Sequence, residues 1–208
     1  MARLTIYVVA MALVVLASNY LVQFPVQGTL FGLNLADLFT WGAFTYPVAF
    51  FVTDLTNRRF GPGNARIVVI AGFLVAIGYG LTDAQVANRI VIASGTAFFL
   101  AQMLDVSIFD ALRRGAWWRA PVISSLLGSA TDTALFFSLA FAAQFAMFGA
   151  NDAFAIEPSA WLGIFSWQPP RWVSWATIDF LVKLAVAALL LVPYRMTMRS
   201  GNAAEAQS

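Results

Sequence analysis

The chain has 208 residues, of which 61% are hydrophobic and only 11% charged, and its net charge is +2. A soluble domain carries about 25% charged residues, so most of this chain must face lipid, and its length allows one compact bundle. The small net charge gives no indication of a nucleic-acid partner. The sequence contains no Cys and no His, which excludes disulfides and thiolate metal sites and removes the commonest metal ligand and general base. We expect no cofactor.

Apolar runs long enough to cross a bilayer recur along the chain. A membrane-spanning helix needs roughly 20 apolar residues. Six such runs are present, at about 4–24, 38–57, 66–82, 86–111, 121–147 and 173–194. The pattern predicts an all-α membrane protein with six transmembrane helices in one domain, residues 1–195. The polar tail, residues 196–208, has little to bury and is predicted to be disordered.

The distribution of positive residues predicts the orientation of these helices, because cytoplasmic segments carry the excess of Lys and Arg. With the N-terminus in the cytoplasm, the outside segments hold only Arg89 and Arg171. The inside segments hold nine positive residues, namely Arg3, Arg58, Arg59, Arg66, Arg113, Arg114, Arg119, Arg195 and Arg199. Both termini are therefore predicted to be cytoplasmic.

An acid lies near the middle of the fifth apolar run. A charge at the centre of a bilayer costs about 2.5–3.5 kcal/mol on insertion scales, so such a residue marks a functional site by default. Asp132 shares one helix face with Ser125, Gly128 and Ser129, at the spacing i, i+3, i+4 and i+7. These small residues equally suit close helix packing, either within one chain or in a homo-oligomer. We interpret the stripe as turned away from lipid.

Three other spans carry polar residues at the spacing of one helical turn. These pairs are Gln102 with Asp105, Asp179 with Lys183, and Asn19 with Gln23. The Asp179–Lys183 order is favourable for an ion pair, which by itself could serve only to make insertion tolerable. At the cytoplasmic end of the second span, Asp54 and Arg58 are also one turn apart. We predict that these two form a structural ion pair.

Polar groups in four spans predict a polar cavity inside a helix bundle, which is typical of small-solute transporters. A membrane enzyme or an assembly factor is the rival interpretation. An enzyme is disfavoured because the chain lacks Cys and His and because its acids are spread over depth rather than gathered at one interface. We predict a transporter and no enzymatic activity.

Six motifs, in this order and at this spacing, closely resemble the bacterial queuosine-precursor transporter family of inner-membrane proteins. They span residues 18–194 and read SNYLVQFPV, TWGAF, TDLTNRRFG, AQMLDVSIFDALRR, WWRAPVISSLLGSATDT and IDFLVKLAVAALLLVP. The resemblance implies six helices, and import of 7-cyano-7-deazaguanine, with its aminomethyl analogue as a further cargo, for queuosine synthesis in tRNA. It also implies a distant relation to the substrate-binding membrane components of vitamin uptake systems. The chain departs from the family at Arg58, where many members have an acid.

The implied substrate suits the residues found above. A deazaguanine presents a ring N–H and an exocyclic amino group side by side, and a carboxylate such as Asp132 or Asp105 can accept both. Its acceptors need donors, for which the candidates are Gln102, Gln23, Asn19 and Lys183, with Asp179 tuning Lys183. Its faces need aromatic or small neighbours, for which the candidates are Phe109, Phe136, Tyr20, Ser125 and Ser129. Lys183 is expected to neutralise the buried acid while the site is empty.

One alternative stays open within the transporters. The chain could bind a vitamin or a purine-like solute and depend on a separate energising complex. The expected partners are therefore the small-molecule substrate and membrane lipid.

Overall fold

The computed structural model describes residues 2–30, 32–82 and 88–205, which are mostly helical. Within these residues lie six α-helices: α1 (Ala2–Leu21), α2 (Gly42–Thr82), α3 (Asn88–Leu112), α4 (Arg119–Phe141), α5 (Ala153–Ile156) and α6 (Arg171–Glu205). A small antiparallel hairpin, β1 (Thr29–Leu30) with β2 (Leu33–Asn34), lies between α1 and α2. Short 3-10 helices cover Leu35–Asp37, Ala143–Phe148 and Trp161–Gly163.

Within the described ranges, five helices are long and apolar enough to cross a membrane: α1, α2, α3, α4 and α6. The chain is therefore a multi-pass membrane protein. α2, which has 41 residues, contains the whole predicted third span, 66–82, and the predicted second span, 38–57, from residue 42 onward. α6 continues to Glu205, into the segment for which the sequence predicted disorder.

α2 is interrupted at Gly61, whose φ of 82° and ψ of 172° lie in a region that glycine adopts easily. Pro62 follows and cannot donate a backbone hydrogen bond. Ala49 and Ala76 lie on opposite sides of this break, and both line one small cavity with Phe98. In a straight helix they would lie roughly 40 Å apart. The two halves of α2 therefore fold back against each other.

The largest apolar cluster joins α1, both halves of α2, and α3. Its buried members are Met11, Val15, Ala49, Val52, Ala65, Val68, Val69, Ala76, Phe98 and Val106. α6 packs more loosely, and large apolar side chains such as Leu181, Leu189 and Val192 point outward. A lipid surrounding makes such exposure favourable.

α4 ends at Phe141, earlier than the predicted span of 121–147, because its last carbonyls are capped from another helix. The guanidinium of Arg89 in α3 donates to the carbonyl oxygens of Leu139 at 2.8 Å and Ala142 at 2.6 Å. It also donates to Asn151 Oδ1 at 2.9 Å. Arg89 thus fixes the start of the segment that connects α4 to α6.

Candidate functional site

The first polar group in the bundle is centred on Lys183 of α6, whose side chain is 3% exposed. Its ammonium nitrogen lies 2.7 Å from Asp132 Oδ2 of α4 and 2.5 Å from Asp179 Oδ2, one turn earlier in α6. It also donates to Thr133 Oγ1 at 3.2 Å, and Thr133 in turn donates to Asp179 at 2.7 Å. We call these four residues the Lys183 centre.

Two further helices reach the Lys183 centre. The ammonium of Lys183 lies 5.4 Å from the ring centroid of Tyr46 in α2. The Tyr46 hydroxyl is hydrogen-bonded to Ser94 of α3 at 3.1 Å. The polar network therefore connects α2, α3, α4 and α6 in the middle of the bundle.

The Lys183 centre holds two carboxylates and one ammonium group. Both acids contact the same nitrogen. When all three groups are ionised, the centre therefore carries a net charge of one negative unit. Breaking a buried ion pair leaves an uncompensated charge at high cost. Here Asp179 can keep Lys183 paired while Asp132 exchanges its partner, so the arrangement permits Asp132 to accept another donor.

The second polar group joins α2, α3 and α4 around Asp54, which is 2% exposed. Ser124 donates to Asp54 Oδ1 at 3.3 Å. The carboxyl group of Asp105 lies beside that of Asp54. Asp105 is fully buried, and neither of its oxygens accepts a hydrogen bond of good geometry from the residues that the structure describes. We call Asp54, Asp105 and Ser124 the acid pair site.

The predicted ion pair between Asp54 and Arg58 is replaced by other contacts. Among the described residues, neither side chain of this pair forms a salt bridge. Arg58 donates from Nε to the Tyr194 hydroxyl at 3.0 Å and from Nη1 to the carbonyl oxygen of Arg113. Its guanidinium also lies 5.4 Å from the ring centroid of Phe109. Tyr194 of α6 and the carbonyl oxygen of Arg113, just after α3, therefore take the donors that helix spacing had assigned to Asp54.

A cavity of about 170 Å³ opens between α2, α4 and α6. Its polar wall consists of Asp54, Ser125 and Tyr194. The remaining walls are apolar and come from Pro47, Phe51, Pro121, Val122, Leu126, Leu184, Ala187, Ala188, Leu190 and Leu191. None of the four residues of the Lys183 centre lines it. The cavity therefore reaches the acid pair site but not the Lys183 centre.

Other predicted site residues are buried near these groups. Gln102 accepts a hydrogen bond from Thr53 at 2.6 Å, one turn from Asp105 in α3. Phe109 packs edge-on against Tyr194, with 6.5 Å between ring centroids. Ser129 is buried, and its hydroxyl has no hydrogen-bond partner in the described part of the chain. These positions agree with the inward-facing stripe predicted from the sequence.

The remaining predicted residues lie away from both polar groups. Asn19 bonds to the carbonyl oxygen of Val15 at 2.9 Å and lines a small cavity beside Tyr46. Tyr20 is 55% exposed and its ring packs against that of Phe24. Gln23 is exposed and donates to the hydroxyl of Tyr79 at 3.4 Å, while Phe136 packs against two other Phe rings. None of these four residues lines the cavity between α2, α4 and α6.

The contacts add residues that the sequence had not singled out. Thr133 and Tyr46 belong to the network around Lys183, and Ser124 belongs to the acid pair site. Thr133 and Ser124 each adjoin a residue of the predicted polar stripe, so a slightly wider stripe would have included them. Tyr46 had no periodic partner that could have indicated its place.

Comparison with known proteins identifies the family. Residues 40–82 and 82–197 match the family model described as "Putative vitamin uptake transporter". The chain is 34% identical over 201 residues to the "Queuosine precursor transporter" of Escherichia coli, with 87% of this chain and 79% of the relative covered. The chain belongs to the queuosine precursor transporter family. Its family is one of transporters, and the chain is not an enzyme.

Two further relatives agree with this assignment. The "Probable queuosine precursor transporter" of Haemophilus influenzae is 34% identical over 205 residues, covering 86% of this chain and 79% of the relative. Its namesake in Bacillus subtilis is 28% identical over 192 residues, covering 79% and 72%. No solved structure matches the chain. The matched residues of the transporter include both halves of α2, α3, α4 and most of α6, and so both polar groups.

Proposed function

We propose that this transporter imports the queuosine precursor 7-cyano-7-deazaguanine across the bacterial inner membrane, for queuosine synthesis in tRNA. The aminomethyl analogue is a second cargo of the same path. The observation that carries the proposal is the 34% identity, over most of the chain, to two relatives named for transport of queuosine precursors. The buried acids at the contacts of α2, α3, α4 and α6 are groups that can accept the N–H donors of this cargo.

The donor edge of the cargo suits a buried carboxylate. Its ring N–H and exocyclic amino group are parallel donors, and charge-assisted pairs of this kind are strong and directional. During passage Asp132 accepts this edge, while Lys183 stays with Asp179. The 2.7 Å and 2.5 Å contacts of Lys183 with the two acids support this exchange, because the ammonium keeps one partner throughout. Lys183 neutralises Asp132 when no cargo is bound.

We further propose that the chain crosses the membrane six times with both termini in the cytoplasm. The two halves of α2 each supply one crossing, since the 41-residue helix is about 60 Å long if straight and a bilayer core is about 30 Å thick. Gly61 then lies at the cytoplasmic turn beside Arg58 and Arg59. Single cysteines test this, because the chain has none of its own. Gly63→Cys should react only from the cytoplasmic side and Ser166→Cys only from the outside.

Cells that cannot make 7-cyano-7-deazaguanine provide the functional test. Expression of the chain should restore accumulation of the labelled compound and of queuosine in tRNA, whereas an empty vector should not. Asp132→Asn and Lys183→Ala should each reduce the rate of uptake. Uptake no faster than with the vector would contradict the proposed function. Full uptake by both variants would contradict only the assignment of Asp132.

A vitamin is the second candidate cargo, because the family model is described by vitamin uptake. In that case the chain binds the solute and depends on a separate energising complex. Competition distinguishes the two: unlabelled 7-cyano-7-deazaguanine, but no vitamin, should suppress uptake of the labelled compound. Uptake by the pure protein in vesicles would in addition exclude a required partner.

A further inference from the structure

We propose that the cavity between α2, α4 and α6 is a separate binding site for a planar heterocycle with adjacent N–H donors, and that Asp54 is its specificity-determining acceptor. The inference rests on the proposed function and deepens it. Sequence reasoning had assigned Asp54 to a structural ion pair with Arg58. The structure places Asp54 in the wall of the cavity instead.

The cavity has the composition of a site for a small aromatic molecule. Such sites are mostly apolar, with few polar groups that fix the orientation of the ligand. Here Phe51 and Tyr194 are the aromatic residues of the lining, and Ser125 is a further polar one. Asp54 is the only acid among the described residues that line the cavity. Within this lining, Asp54 is therefore the carboxylate that can accept both donors of a ligand with two parallel N–H groups.

The carboxylate of Asp54 has acceptor positions that Ser124 does not occupy. A carboxylate offers about four lone-pair sites, and Ser124 occupies one of them on Oδ1. A buried carboxylate without enough donors is costly, so the remaining sites favour a ligand that donates. The nearest cation on the same helix, Arg58, directs its donors to Tyr194 and to the backbone of Arg113. Arg58 thus balances charge from nearby without blocking the carboxylate.

Asp132 differs from Asp54 in its present contacts. Lys183 lies 2.7 Å from Asp132, and Asp132 does not line the cavity. In this conformation a ligand can therefore reach Asp54 directly, whereas it reaches Asp132 only after Lys183 moves. The cavity and the Lys183 centre are two successive positions on one path.

Equilibrium binding of 7-cyano-7-deazaguanine to the purified full chain tests the inference. Isothermal titration should show that Asp54→Asn weakens affinity roughly tenfold or more, since the amide places a donor against the donors of the ligand. Asp132→Asn should weaken affinity less. Asp37→Asn is the matched control, because Asp37 is exposed and lies outside the cavity. The affinity of this variant for 7-cyano-7-deazaguanine should equal that of the wild type.

Two further arms keep the test informative if Asp54→Asn does not fold. Ala187→Phe fills the cavity from α6 without touching the acid and should abolish binding. A ligand analogue without the exocyclic amino group should bind the wild type roughly tenfold more weakly, because one of the two donors is missing. If Ala187→Phe binds as well as the wild type, the ligand does not occupy the cavity, and the inference is overturned.

The outcomes separate this inference from the proposed function. A wild-type chain that does not bind 7-cyano-7-deazaguanine overturns both. A wild-type chain that binds, together with an Asp54→Asn variant of unchanged affinity and an Asp132→Asn variant that no longer binds, overturns the inference alone. In that case the ligand sits at the Lys183 centre.

Discussion

Arg58 donates a hydrogen bond to the Tyr194 hydroxyl at 3.0 Å, across the contact between α2 and α6, while Asp54 one turn earlier forms no salt bridge within the described part of the chain. The Arg58 guanidinium is therefore bound to Tyr194 and not to the carboxylate of Asp54. Because the guanidinium is held by α6 and by the carbonyl oxygen of Arg113, just after α3, Asp54 remains available to the cavity. The Tyr194 hydroxyl of α6 thus provides Arg58 with an acceptor other than the Asp54 carboxylate of α2.

Removing that hydroxyl should redirect Arg58. In Tyr194→Phe the guanidinium loses an acceptor, and the nearby carboxylate of Asp54 is its best replacement. The new ion pair competes with the ligand, so the affinity for 7-cyano-7-deazaguanine should fall about fivefold, the equivalent of about 1 kcal/mol. Adding Arg58→Gln should restore part of the loss. An equal loss with and without Arg58→Gln would show that no such competition exists.

Lys183 should be essential for stability because it neutralises two buried acids. Lys183→Met leaves Asp132 and Asp179 without their cation, which should cost about 3–5 kcal/mol in free energy of unfolding, as for other broken buried ion pairs. Adding Asp132→Asn should recover part of that loss. Arg171→Met is the control, since its pair with Glu157 is exposed and should be worth at most about 1 kcal/mol. Equal stability of Lys183→Met and the double variant would disprove the coupling.

Arg89 should hold the segment after α4 in place. Arg89→Ala removes charged hydrogen bonds to Leu139, Ala142 and Asn151, at a cost of at least about 2 kcal/mol. Hydrogen exchange of the amides in residues 142–151 should accelerate, while exchange in α1 stays unchanged. Arg66→Ala, at an exposed position, should leave both unaltered. Protection of residues 142–151 equal to that of the wild type would contradict this role.

Gly128 should be required for the approach of α4 to α2. A Cβ atom at this position would lie 2.7 Å from a ring carbon of Phe50, so Gly128→Val must displace that ring or push α4 away from α2. Overpacking of this kind costs about 1–3 kcal/mol, and the melting temperature should fall accordingly. Phe50→Leu should rescue part of the loss by making room. Gly63→Val is the control, because nothing lies within 4 Å of a Cβ there. A normal melting temperature for Gly128→Val would argue against close packing.

The helices and the inward-facing stripe could be predicted because they depend on local spacing. A run of apolar residues predicts a helix wherever it falls, and Asp132 with Ser129 and Ser125 shares a face by helix geometry alone. The ion pair of Lys183 with Asp179 follows from the same periodicity. Its second partner, Asp132, is 51 residues away along the chain, and only its similar depth in the membrane indicated it.

The partner of Arg58 could not be predicted, because Tyr194 is 136 residues away in the sequence. Helix spacing favours Asp54, and nothing local shows that α6 brings a hydroxyl closer. Gly61 and Pro62, by contrast, are residue types that interrupt helices, and the break in α2 lies at these two residues. A contact between helices, rather than a preference within one helix, decided the partner of Arg58.

We propose that this chain by itself moves 7-cyano-7-deazaguanine and recognises it through Asp54. Uptake of the labelled compound into vesicles that contain only the purified chain tests it most directly. We predict rapid uptake by the wild type and by Asp37→Asn, and uptake reduced roughly tenfold or more by Asp54→Asn. Vesicles with the wild type that take up no more label than protein-free vesicles, or Asp54→Asn vesicles that fill at the wild-type rate, would contradict the claim.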